Sequence, residues 1–85
     1  MEIFHMFLTL SSLTGPQVLF VTQPQRWKNE LACVSALPKM EGVVAQLIRY
    51  DASALELFGT TTAGGSLKPG YFVSEAECRP AEAGP

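Results

Sequence analysis

The chain has 85 residues, 47% of them hydrophobic and 16% charged, with a formal net charge of −2. That length allows one domain, with a core that removes only about 60–65% of the unfolded surface from water. The apolar share excludes a wholly disordered chain, whose signature is low hydrophobicity with high net charge, and six scattered basic residues against eight acids exclude a nucleic-acid-binding face.

Residues 3–10, IFHMFLTL, are almost all apolar. As a strand, Phe4, Met6, Leu8 and Leu10 share a face; as a helix, Ile3, Met6, Phe7 and Leu10 do, and periodicity does not separate the two in so short a run. A secretory signal needs a basic stretch before the apolar run and a small-x-small cleavage site after it. Here the acid Glu2 precedes the run, His5 interrupts it, and only Ser12-x-Thr14 follows. A membrane span needs about 20 predominantly apolar residues, and Ser11, Ser12, Thr14, Gly15, Pro16 and Gln17 break the stretch from Ile3 to Thr22. A secreted or membrane-associated peptide using residues 3–21 therefore stands as an alternative to the default, a cytoplasmic chain. The simpler expectation is a hairpin. Ser11–Pro16 is turn chemistry, and Gln17–Thr22, QVLFVT, suits a pleated strand. His5 is expected to be half-exposed or in the core rather than a ligand or base.

Gln23-Pro24-Gln25 breaks the second arm. Arg26–Leu37 fits a helix with Trp27, Leu31 and Val34 at spacings of four and three, which Pro38 ends or passes to the next helix at its first turn. Trp27 between Arg26 and Lys28 is expected to pack on the central helix with solvated cations beside it.

That central helix is Met40–Phe58, MEGVVAQLIRYDASALELF. At about 100° per residue, Met40, Val43, Val44, Leu47, Ile48, Tyr50, Ala54, Leu55, Leu57 and Phe58 fall on one half of the wheel, the pattern of a helix that must bury a face. Asp51 intrudes into this apolar half. A charge buried without a partner costs several kcal/mol, so the favoured solution is a break: helix to Tyr50, Asp51 as N-cap, and a short second helix from Ala52 to Phe58 ended by Gly59. A continuous helix with Asp51 at an edge or in water is the close alternative.

From Gly59 onward, GTTTAGGSLKPG is loop composition. It fails as a phosphate cradle, because the G-x-x-x-x-G-K-[ST] pattern finds Gly65 at its lysine position when read from Gly59. Lys68 is left as a surface lysine. Tyr71–Val73 fits a short strand, and Ser74-x-x-Glu77 has capping-box spacing without an apolar run behind it, which predicts a turn of helix at most. Arg79–Pro85 has nothing to bury and reads as a disordered tail.

Cys33 and Cys78 are the two cysteines, and with His5 as the single histidine they make no zinc pattern. They are expected as free thiols, with a disulfide between them in an oxidising compartment. No pair of groups has the spacing of a catalytic dyad or triad, the acids Glu30, Glu41, Asp51 and Glu56 are scattered, and no cofactor motif occurs. The expectation is a non-enzymatic chain with no catalytic, cofactor or metal residues.

The residues thus predict a small α+β fold: an N-terminal β-hairpin packed on a central amphipathic helix, with a disordered C-terminal tail. A mostly α, partly disordered chain is the alternative. Residues 1–59 form the single marginally stable region, and residues 60–85 a flexible Gly/Thr/Pro-rich loop and tail. The first functional reading is a polypeptide without a specific biochemical activity, as expected where local signals disagree. The second is a protein-interaction module that docks through Val44, Leu47, Ile48, Leu55 and Phe58 into a partner's groove.

Overall fold

The computed structural model describes residues 3–23, 26–62, 67 and 70–81. Strict alternation in the first run decides its structure. Strand β1 (Phe4–Ser11) turns Phe4, Met6, Leu8 and Leu10 inward, all buried, and leaves His5, Phe7 and Thr9 half-exposed on the other face. Strand β2 (Val18–Thr22) repeats the pattern with Val18, Phe20 and Thr22 buried. The two pair antiparallel from Phe7↔Val21 to Leu10↔Val18, so the expected hairpin is formed. The mostly helical alternative is not.

Helix α1 spans Glu30–Tyr50. The Asn29 side chain caps it, Oδ1 accepting the Ala32 N–H at 2.8 Å, which satisfies one of the otherwise orphaned first-turn donors. Two expected helices are here one, because Pro38 lies inside it. An interior proline removes one ladder bond and costs about 3 kcal/mol. Continuous burial offsets that cost: Cys33, Leu37, Met40, Val44 and Leu47 follow one another on the sheet-facing side at steps of three and four, Cys33 and Val44 fully buried, Met40 nearly so and the others half-buried. The expected break falls where Asp51 places it. α1 ends at Tyr50, the Asp51 N–H donates to the Leu47 carbonyl at 2.8 Å, and Asp51 is exposed to water. The short segment beyond, Ala52–Leu57, is a 3₁₀ helix in which Leu55 alone is buried; the Asp51 side chain does not cap its backbone as expected and instead accepts from Ser53 Oγ at 2.6 Å.

Strand β3 (Gly59–Thr61) pairs antiparallel with β2 through Thr22↔Gly59. Only glycine fits at residue 59, because a Cβ there would lie 2.1 Å from the Val21 carbonyl oxygen. Strand β4 (Phe72–Pro80) then crosses the whole sheet to pair antiparallel with β1, from Phe4↔Pro80 to Ser11↔Phe72. The sheet order is β3-β2-β1-β4. Residues 72–80 thus correct the expectation of a short strand, a turn of helix and a tail starting at Arg79. The strand persists past Val73 because β1 offers it a complete partner edge. Ser74 is the extra residue of a bulge between Thr9 and Leu10, and its Oγ donates to the Thr9 carbonyl at 3.2 Å. The Ala81 N–H continues the ladder to the Ile3 carbonyl at 2.7 Å. Residues 63–66, 68–69 and 82–85, which include Lys68 and the end of the expected tail, lie outside the described residues.

The core lies between the inner sheet face and α1. It contains Phe4, Met6, Leu8, Leu10, Val18, Phe20, Cys33, Met40, Val44, Leu55 and Leu67, with Trp27 packed half-buried at its margin. Among the described residues the one buried polar side chain is Thr22, which replaces a ladder bond where β1 outruns β2: its Oγ1 accepts the Met6 N–H at 3.0 Å, and its carbonyl lies 2.7 Å from His5 Nδ1. The cysteines, expected first as free thiols, are joined as a Cys33–Cys78 disulfide. The bond ties the first turns of α1 to β4 across a separation of 45 residues, a constraint on the unfolded chain of about 4 kcal/mol in the loop-entropy account.

Candidate interaction surface

The five side chains expected to face a partner are turned toward this chain's own sheet. Val44 and Leu55 are in the core, and Leu47, Ile48 and Phe58 pack half-buried against it. Leu13, Tyr50, Leu57 and Phe72 are exposed at separate places, and a continuous free stripe lies on the opposite side of α1. Leu31, Val34, Pro38, Gly42 and Ala45 recur at steps of three and four and are all exposed, Leu31 at 76% and Val34 at 47%. Only four of the helix's 21 residues are charged, Glu30, Lys39, Glu41 and Arg49. The sheet covers one side of the helix and leaves this stripe in water. Among the described residues, α1 is the one helix long and apolar enough to cross a membrane by length and composition, but the sheet packs on it and the disulfide anchors it.

This face could be found in the sequence only by reading through Pro38. Leu31 and Val34 carry the first part of the stripe, and Gly42 and Ala45 carry the rest. Treating Pro38 as a terminus divides it into two short fragments, neither of which stands out.

Two shallow concavities flank β4. On the outer sheet face, Phe7, Thr9, Leu19, Glu75, Glu77 and Arg79 line one of about 380 Å³. Arg79 pairs there with Glu77 and lies over the Phe7 ring, 4.8 Å from its centroid. On the helix side, Ala45, Ile48, Arg49, Tyr71, Phe72 and Val73 line a groove of about 400 Å³. Cys33 is bonded to Cys78 while Ala45 and Ile48 reach Phe72 and Val73, so α1 runs antiparallel along β4. Tyr71 is fixed by its hydroxyl, which donates to the Pro16 carbonyl at 2.8 Å.

Residues 3–21, weighed as a secretory or membrane segment, supply the two central strands and most of the core. His5 is half-buried, as expected of it, and its Nδ1 faces the Thr22 carbonyl. No group of three or more His, Cys, Asp or Glu side chains is placed to hold a metal ion among the described residues. Tested against known proteins, the chain matches no family model, no curated protein and no solved structure.

Proposed function

We propose that this chain is a small protein-interaction module, without catalytic activity of its own, that docks an amphipathic helix of a partner protein on the solvent face of α1. The observation that carries the reading is the two-sided apolar character of α1: one side is spent on the core, and Leu31 and Val34 stay in water on the other. Burying one such side chain fully stabilises by about 1.5–3 kcal/mol. A Cβ built on Gly42 meets nothing within 4 Å, so a partner helix can approach closely at the middle of the stripe, where ridges of one helix seat in grooves of another. The Cys33–Cys78 bond supports an oxidising compartment as the place of action.

The test is affinity capture with three forms of the oxidised chain. The unaltered protein and a Thr60→Asp control should retain the same partner. Leu31→Asp combined with Val34→Asp should weaken its binding by roughly thirtyfold, the equivalent of ~2 kcal/mol at a central contact. Equal retention by all three would remove α1 as the docking face.

A further inference from the structure

We propose that β4 is a dimerisation edge, pairing antiparallel with β4 of a second copy about a two-fold axis at Cys78, so that two four-stranded sheets become one of eight strands. The inference is carried by the strand ladder of β4, and because Cys78 is bonded to Cys33, an axis there also brings the two α1 helices side by side on one face.

The ladder geometry fixes which backbone groups of β4 are free. The Ala81 N–H bonds to the Ile3 carbonyl, and the register places His5 opposite Arg79, Phe7 opposite Glu77 and Thr9 opposite Glu75. Hydrogen-bonded and non-hydrogen-bonded pairs alternate along an antiparallel ladder. Residues 75, 77 and 79 therefore spend their N–H and C=O groups on β1, while those of Ala76 and Cys78 point away from the sheet. On the other side of β1, the Phe4–Trp27 bonds at 2.8 and 3.0 Å show the same alternation from the opposite direction. Among the described residues, no backbone bond reaches β4 from any element but β1 and its extension. An open edge invites another strand, and native proteins protect such edges with charged side chains, lysine above all, with inward-pointing charges, proline or bulges; the bulge at Ser74 and Pro80 limit the open run of β4 to residues 75–79. Here the inward residues, Val73, Ala76, Cys78 and Pro80, carry no charge, the strand has no lysine, and its proline is the last residue.

The charge pattern selects a second copy as the strand that fits. The outer face of β4 reads Glu75, Glu77, Arg79 at alternate positions. Opposed residues share a face, and Ala76 and Cys78 must supply the bonds, so only registers stepped by two residues are open. Centred on Ala76, Glu75 of each copy faces Glu77 of the other. Centred on Glu77, Glu75 faces Arg79 twice, but Glu77 faces itself at the axis. Centred on Cys78, each Glu77 faces Arg79 of the second copy, twice over and with no like charges opposed. These are non-hydrogen-bonded positions, where side chains come closest. In this register Cys78 N–H and C=O bond reciprocally across the axis. Each Ala76 N–H donates to the Pro80 carbonyl opposite, which is the one role that proline keeps in a ladder.

Sedimentation velocity of the oxidised full chain tests this, with a dimer of twice the 9.2 kDa chain mass expected at high concentration and slowed exchange of the Ala76 and Cys78 amides with it. Ala76→Pro removes a donor that the monomer does not use, so it should leave the circular dichroism unchanged and abolish the dimer. Arg79→Glu alone and Glu77→Arg alone should each be monomeric. An equimolar mixture of the two should restore a dimer, because opposite charges again face each other at both positions. A chain that stays monomeric at millimolar concentration overturns the proposal. So does a dimer that survives Ala76→Pro and both charge variants, since it would use another surface; if Ala76→Pro fails to fold, the charge-swap mixture decides alone.

Discussion

Strands β1 and β4 lie side by side over the same ladder and are built in different ways. β1 is central, paired on both edges, and its four inward side chains are fully or nearly fully buried. β4 is paired on one edge, and its inward residues Val73, Ala76, Cys78 and Pro80 are only half-buried. Where β1 is held by its own apolar side chains, β4 is held by its neighbour's backbone and by one covalent bond. A strand can thus be specified from within, by alternation, or from outside, by a partner edge and a crosslink.

The largest expected effect comes from the crosslink. Replacing Cys33 and Cys78 together by serine should lower the unfolding free energy by about 4 kcal/mol. Amide exchange should then show β4 opening before β1; simultaneous opening of both strands would break the contrast. Leu8→Ala, on β1, should cost about 3 kcal/mol through lost burial and the cavity left behind. Its cross-ladder neighbour on β4 gives the matched measurement: Ala76→Gly should cost at most about 1 kcal/mol. Equal costs in urea titrations would mean that β4 contributes to the core as β1 does. Thr22→Val keeps the shape of the side chain but leaves the buried Met6 N–H without its acceptor, a loss of roughly 2 kcal/mol that should concentrate at the β1 end near Met6. Smallest is Asn29→Ala, about 1 kcal/mol from the lost N-cap, which should fray the start of α1 and leave β1 protected.

The same contrast explains what could be read from the residues. In IFHMFLTL the strand face Phe4-Met6-Leu8-Leu10 is written out, and only the competing helical pattern clouds it. Asp51 marked its break because a charge in an apolar stripe has few solutions. β4 carried no such pattern. FVSEAECRP has acids, which are depleted in strands, a bulge at Ser74 that shifts the alternation, and a Ser-x-x-Glu spacing that imitates a helix cap. Its partner lies some seventy residues earlier in the chain (Phe4 against Pro80), beyond the reach of local periodicity. Pro38 misled for the opposite reason: its local signal was strong, and tertiary burial of Cys33, Met40 and Val44 overrode it. The candidate docking face shared that fate, because the most apolar side of the central helix was claimed by the chain's own sheet.

The pairing of the first strand with the last also sets a timetable for synthesis. β1, β2 and α1 leave the ribosome early and in order, but the second edge of β1 stays open until Phe72–Pro80 has been made. Closing so long a loop is entropically unfavourable before any of its contacts form, and topologies of this kind fold slowly. The nascent chain is thus expected to pass through a stage in which the hairpin exists and β1 is still a free edge, prone to capture by other strands. A purified fragment ending just short of residue 72 should be protease-sensitive and one that includes β4 resistant; resistance of the shorter fragment would show that β1 needs no second neighbour.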